Sequence, residues 1–404
     1  MNNYLKLLLF NIFIFFLSTF LKPESIYASS YPCDLQVSIL TCGKGDMVYS
    51  YFGHTAIRVS SGVRNIDVVY NYGAFDFSTP NFLMKFLKGD LMYFLSVDSF
   101  RDFLSSYQFE RRDVREQILR INCAESELIW NSLNKQLNSD SRFYKYNFLK
   151  DNCSTRIRDI LFVDNSSINI VTDTTITTMS GREALHSYLE GDERYWALLG
   201  IDLLLGTGAD ERFITYDEMF LPEYLYRGIN NSVTADGIPL VKSNRKLISY
   251  NTVRNDVEVR PILIFGPLSV LLLILSFLKY RYAIRSWELF SQIILFVSGL
   301  LGCVILFLWL YSDHSSFRNN FNVLWALPTN IFLPFLKRDT MYYRVVCFSL
   351  ICVSVGILIH LFGVQKLNIE ILPIILYFQF FYLRTLGLGQ KSFSVYLNRE
   401  IQEI

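Results

Sequence analysis

The chain is 404 residues long, half of them apolar, with 38 basic residues set against 37 acidic ones. This length accommodates two domains, and the balanced charge points to no nucleic acid partner. The apolar residues are concentrated at the two ends, and that unevenness divides the chain into three parts.

At the start, Lys6 precedes a nearly unbroken apolar run, Leu7–Leu21, followed by Lys22-Pro-Glu-Ser and the small residues Ala28-Ser29-Ser30. This pattern predicts a secretory signal over residues 1–28 cut near Ala28, with an uncleaved anchor as the alternative; either exports the segment after it. Cys33 lacks the small apolar residues expected before a lipidated cysteine. Residues 29–260 mix polar and apolar positions and form the exported domain.

Beyond Arg260 come apolar runs at 261–278, 288–311, 323–336, 345–363 and 370–385. A full span takes ~20 apolar residues, which the first, second and fourth runs approach or exceed. The third is short and carries Pro328 and Pro334, so a broken or re-entrant segment is expected; the fifth is also short. With the exported domain outside, the inner loops carry Lys279, Arg281, Arg285, Lys337, Arg338, Arg344 and Arg384, while the outer loops carry Arg318 and Lys366. The positive-inside rule therefore predicts an all-α membrane domain, 261–404, of about five spans with a cytoplasmic C-terminus.

Within the exported part, strands are predicted over Leu35–Leu40, His54–Val59 and Ile66–Tyr72, the last two joined by Ser60–Asn65 as a hairpin. Opposing Val59 with Ile66 places Arg58 across from Asp67 and His54 across from Asn71, on one face. Phe82–Phe109 and Val114–Leu137 are expected to be mainly helical, with Arg111, Arg112, Arg115 and Glu116 exposed. Thr172–Met179 is expected as a loop, Gly181–Leu189 and Tyr195–Leu205 as helices, Gly206–Asp210 as a break, and Met219–Leu225 as a stretch packed near the membrane.

The chemistry lies in two polar words. His54 sits in Tyr51-Phe-Gly-His-Thr-Ala-Ile-Arg-Val59, at a strand start; Cys153 sits in Lys150-Asp-Asn-Cys-Ser-Thr-Arg156, at a turn opening a helix. A thiolate nucleophile needs a base beside it, and a helix N-terminus lowers its pKa further. Asn71 can hold the tautomer of His54, and the Cys153 N–H or the Tyr49 hydroxyl can serve as oxyanion donor. Free cysteine is commonly buried and inert, but the polar neighbours of Cys153 do not suit an ordinary core. For Asp151 and Arg156 the competing role is to cap and brace the helix. Asp313 and His314 either meet a head group or cap a span. Metal-ligand spacing is missing from the sequence, and no cofactor is expected. With Cys153 reduced, Cys33, Cys42 and Cys123 leave room for one disulfide of undetermined pairing.

The order histidine-then-cysteine, about a hundred residues apart, resembles the circularly permuted papain-like fold of lecithin retinol acyltransferase, an α+β domain. Phe52-Gly-His-Thr-Ala-Ile-Arg58, Val69-Tyr-Asn-Tyr-Gly73, Asp151-Asn-Cys-Ser-Thr-Arg156 and Met219-Phe-Leu-Pro222 are similar to the Lnb-type lipoprotein N-acyltransferases; so is Asp313-His314 followed by Asn322 and Leu324-Trp325. The resemblance implies an enzyme of the bacterial cytoplasmic membrane with its catalytic domain on the periplasmic side. It implies a glycerolipid acyl donor drawn from the membrane lipid and a diacylated lipoprotein acceptor. Catalysis would fall to Cys153, His54, Asn71 and Tyr49, and substrate contact to Arg156, Asp313 and His314. A thiol phospholipase, a cysteine peptidase or amidase, and a non-enzymatic lipoprotein-binding protein are the rival readings.

Overall fold

The computed structural model describes residues 34–162, 170–171, 176–234, 236–250 and 258–387. The expected signal at 1–28 and Cys33 lie outside the described residues. Helices are numbered from α1 at Phe82–Lys88.

Among the described residues the exported domain centres on a seven-stranded antiparallel sheet. Its strands are β1 (Gln36–Cys42), β2 (His54–Ser61), β3 (Ile66–Ala74), β4 (Met92–Ser99), β5 (Val114–Leu119), β6 (Phe143–Lys145) and β7 (Val241–Ile248). Their spatial order is β7-β5-β1-β2-β3-β4-β6. One sheet face buries Ile39, Ile57, Tyr72 and Leu95 against helices α3 (Cys123–Leu137), α4 (Cys153–Phe162) and α7 (Pro222–Asn231). The other buries Leu40, Ala56 and Val69 against α2 (Phe100–Phe109), capped by Ser99. Helices on both faces make it an α+β domain, as expected. Met219 and Leu221 are buried, and Leu221 shares its cluster with Phe317, just beyond α9 (Arg281–Tyr311).

The β2–β3 hairpin is shifted two residues from the expected register: Val59 faces Val68, and Ser61 faces Ile66. A two-residue shift keeps every side chain on its face. Burial, about 1.5–3 kcal/mol per large apolar side chain, is therefore the same in both registers. An exposed ion pair is worth at most ~1 kcal/mol and cannot decide between them. The turn decides. Gly62–Asn65 closes tightly with Asn65 at φ 51°, and Asp34 accepts from the Ser61 hydroxyl at 2.6 Å and the Val63 N–H at 2.7 Å. The Arg58–Asp67 pair survives as a diagonal, bidentate contact at 2.7 and 2.9 Å.

The expected long helices are each split by a strand. Gly89, at φ 78°, ends α1, and β4 follows. β5 replaces the start of the second; its Glu116 is buried, taking Arg58 at 2.9 Å and Ser38 at 2.7 Å, and Arg112 is buried too. Charges expected to be solvated on a helix are here buried, Glu116 within the sheet and Arg112 just before it. Ile176–Ser180 is a strand paired with Arg212–Ile214, not a loop, while 172–175 lie outside the described residues. Helices α5 (Gly181–Glu190) and α6 (Tyr195–Leu204) form as expected, and Gly206–Asp210 breaks the chain.

The C-terminal part contains α8 (Ile262–Phe277), α9 (Arg281–Tyr311), α10 (Thr340–Leu361) and α11 (Leu372–Thr385). Among the described residues, α9 and α10 are each long and apolar enough to cross a membrane. Between them, the run with Pro328 and Pro334 is a series of short 3-10 turns, the broken segment its prolines predict. Gly299 and Gly302 of α9 let this irregular backbone lie directly against the helix; a Cβ on Gly302 would collide with the Ala326 carbonyl. Asn330 bonds Ser298 and Tyr382 in the same layer. Such backbone survives at membrane depth only when protein covers it.

The two parts are clamped together through buried Asp202, on α6. Its carboxylate takes Arg182 at 2.8 Å, His186 at 2.7 Å and Asn368 of the membrane part at 2.8 Å. Asn322 and Gln365 bond the Asp202 and Leu205 carbonyls.

Candidate active site

Helix α4 starts at Cys153 and lies against the start of β2. Its opening is fixed by buried Asn152, whose amide oxygen takes the N–H groups of Ser154 (2.8 Å) and Thr155 (3.0 Å). The Asn152 amide nitrogen donates to the Phe148 and Phe220 carbonyls. An Asn cap of this kind contributes ~1 kcal/mol. It leaves the Cys153 N–H out of the capping pattern, at the positive end of the helix. Ser154 Oγ meets Thr55 Oγ1 at 3.1 Å, pinning α4 to β2 one residue beyond His54. Gly53, at φ 76°, gives the chain its turn into β2; a Cβ there would sit 2.5 Å from the Cys42 carbonyl.

His54 neighbours the Cys153 thiol and is hydrogen-bonded through Nε2 to Asn71 Oδ1 at 3.3 Å. The Asn71 amide nitrogen donates to Asp98 Oδ2 at 2.8 Å. These contacts fix the proton inventory. A carboxylate only accepts, so Asp98 must face the Asn71 NH₂ and turn its carbonyl oxygen to His54. That oxygen requires an N–H at Nε2, which leaves Nδ1 of a neutral ring unprotonated and free to take the thiol proton.

Burial opposes ionisation of the Cys153 thiol. The neighbouring His54, both as charge and as hydrogen-bond partner, outweighs it together with the Thr55 N–H and the Ser154 hydroxyl, and the thiol lies below its ordinary range. Cys42, paired with His54 across the β1–β2 ladder, is buried without comparable help, and its thiol is pushed up to about 12. Two cysteines flank one histidine, and only Cys153 is activated. Cys123 is disulfide-bonded, and Cys42 is free.

Tyr49 lies on a short surface turn with 62% of its side chain exposed, so burial lends it no support as an oxyanion donor. Tyr144, on β6, is different. Its hydroxyl is buried and has no hydrogen-bond partner among the described residues. Gly73, at φ 94°, lies beside both residues; a Cβ built there would lie 3.9 Å from both Tyr144 Oη and Cys153 Cβ. The β3–β4 ladder is bulged between Asn71 and Ala74, which bends the strand here. The Arg156 guanidinium lies 4.2 Å from the Tyr144 ring centre and is held by Asp151 at 2.5 and 2.7 Å. Arg156 thus braces the site and also borders a cavity of about 280 Å³ with Lys150, Asp151 and Tyr72.

Asp313 and His314 lie away from the thiol, at the seam between the two parts. Asp313 pairs with Lys145, which also holds Asp90. His314 packs on Gly89. Sequence reasoning missed Asp98 and Tyr144. Asp98 lies on β4, diagonally beside Asn71, and becomes visible only once that stretch is read with a period of two. No local signal marks Tyr144.

The fold and site define a class: a membrane protein whose sheet-rich domain carries a cysteine–histidine–asparagine relay. Residues 22–182 match the model of the Lnb N-terminal periplasmic domain, and residues 252–391 match that of the Lnb transmembrane domain. The chain belongs to the Lnb family, with a periplasmic domain followed by a membrane domain. No curated protein and no solved structure matches it.

Proposed function

We propose that this protein is a lipoprotein N-acyltransferase that works through a Cys153 thioester. The observation that carries the reading is Cys153 at a helix start beside His54, which Asn71 and Asp98 hold in turn, in a domain clamped to a membrane part. His54 takes the thiol proton, and the thiolate attacks an ester carbonyl of a glycerolipid. The carbonyl electrons collect on oxygen, toward the Cys153 N–H and the Tyr144 hydroxyl. Collapse breaks the bond to the glycerol oxygen, which leaves with the proton from His54, and the acyl group stays on sulfur. The α-amine of a lipoprotein's lipidated N-terminal cysteine then attacks the thioester, giving its proton to His54. The amide forms and Cys153 is released. Asn71 and Asp98 hold the imidazole throughout.

A hydrolase would use the same relay with water as acceptor. The Asp202 clamp favours transfer, because holding the thiol beside the bilayer serves a reaction whose donor and acceptor are both lipid-anchored. Mass spectrometry of lipoprotein N-termini tests this in cells carrying the native chain, Cys153→Ala or no copy. The third acyl chain is expected only with the native chain. An unchanged acylation pattern in all three would overturn the proposal.

A further inference from the structure

Helix α1, Phe82-Leu-Met-Lys-Phe-Leu-Lys88, has five apolar residues among its seven, and none is buried. Leu83, Met84 and Phe86 are 67, 53 and 45% exposed, and Phe77 beside them is 69% exposed. A helix this short does not stand alone in water, and a contiguous apolar patch marks a contact surface.

Its position says what covers it. The Lys88 carbonyl accepts from the Asp313 N–H at 2.8 Å, and the His314 ring packs on Gly89 and bonds the Phe86 carbonyl. Asp313 lies two residues beyond the end of α9 at Tyr311. The end of α1 is therefore fastened to the point where a membrane-crossing helix emerges. Lys85 and Lys88 add positive charge beside the apolar side chains, the pairing that suits an apolar layer under anionic head groups.

From this patch an aromatic wall leads inward. Phe77 contacts Phe82 at 5.1 Å and Phe75 at 4.8 Å; Phe75 contacts Tyr93 at 5.2 Å, which stacks on Tyr146 at 4.5 Å. Tyr93 also neighbours Tyr144, whose hydroxyl and the Cys153 side chain both lie beside Gly73.

We propose that α1 lies in the outer leaflet of the bilayer and that the aromatic wall guides the acyl chain of a leaflet glycerolipid to Cys153. Its access role rests on the acyl-transfer reading, whereas the insertion of α1 does not. The test uses the full chain reconstituted in phosphatidylcholine–phosphatidylglycerol vesicles, with Phe86→Trp as reporter. Vesicles whose lipids carry bromine on the acyl chains are expected to quench the added emission, relative to the parent chain, by half or more. Emission unchanged by bromolipid would overturn the insertion, as it would if α1 instead met a lipoprotein or a second copy.

A second variant, Leu83→Ser/Met84→Ser/Phe86→Ser, is given two acyl donors. With bilayer phospholipid, Cys153 acylation is expected to fall at least tenfold. With a short water-soluble p-nitrophenyl ester the acylation burst should match the parent. Equal rates with phospholipid would overturn the access role. Quenching of the Phe86→Trp chain together with no burst from the parent would instead reject the acyl-transfer reading while leaving the insertion standing.

Discussion

Two polar clusters in this protein use similar residues for opposite ends. Around Asp202, the carboxylate, Arg182, His186 and Asn368 meet in a closed network; Arg182 also takes Asp210 and the carbonyls of Leu205 and Gly206. Around Cys153 a chain of contacts runs Cys153–His54–Asn71–Asp98, and near its Cys153 end the buried Tyr144 hydroxyl has no partner among the described residues. A buried polar network that is fully satisfied specifies structure. A buried donor left unsatisfied costs about 1–3 kcal/mol, and such a cost is tolerable where a substrate supplies the missing acceptor. A histidine bonded directly to a carboxylate thus builds the joint, whereas at Cys153 an amide stands between the histidine and the carboxylate.

The sharpest break of this comparison is at the nucleophile. Cys153→Ala or His54→Ala is expected to abolish acyl transfer, measured as acyl-enzyme in an intact-mass experiment, with the melting temperature little changed. At the joint, Asp202→Ala should instead leave buried Asn368 and one Arg182 nitrogen without their acceptor, while Asp210 still pairs the Arg182 charge, and cost about 1–3 kcal/mol of stability. The readout is thermal unfolding in detergent; an unchanged transition would show that the network does not hold the two parts together.

Tyr144→Phe should lower kcat by about 10²–10³-fold, the scale of one lost oxyanion donor. KM and stability should hold, because the hydroxyl removed has no partner. A fall in stability without a fall in kcat would assign Tyr144 to the joint-like class. Asn71→Ala should be milder, about tenfold or more in kcat, since a misoriented imidazole retains part of its function. Asp98→Asn, which can still turn its carbonyl oxygen to the Asn71 NH₂, should be milder again.

The smallest effect is one of pH. Burial disfavours the charged form of His186, but the hydrogen bond and charge of Asp202 outweigh it, and the His186 pKa is raised above 6.5. A raised histidine stabilises the folded chain fully below about pH 6.5, and that contribution fades as pH rises through the folded-state value. Unfolding midpoints of the native chain should therefore fall slightly more than those of His186→Gln between pH 6 and 8. At Cys153 the sign is reversed: its lowered pKa keeps the thiolate populated below the ordinary thiol range near 8.5. Alkylation should follow that lower midpoint, and His54→Ala should raise it.

The division into an exported and a membrane part is legible in the chain alone, because apolar runs and flanking charges act through composition. So is the broken third run, since Pro328 and Pro334 forbid a continuous helix locally. His54, Asn71 and Cys153 could be named because each sits in a short polar word, and because strand alternation places His54 and Asn71 on one face even when the register shifts by two. The shift itself was decided by Asp34, outside the hairpin, clasping the turn. The strands β4 and β5 were hidden because Met92–Ser99 is continuously apolar at its start and Val114–Leu119 carries Arg115, Glu116 and Gln117. Only the sheet supplies the partners that let Glu116 sit inside. Tyr144 and Asp98 joined the site for the same reason. Their roles come from what the tertiary structure places beside them: for Asp98 an amide to orient, and for Tyr144 a glycine that also borders Cys153, with no partner for its hydroxyl among the described residues. Local sequence encodes which backbone forms a residue can take, whereas partnership across the sheet arises only when distant segments pack.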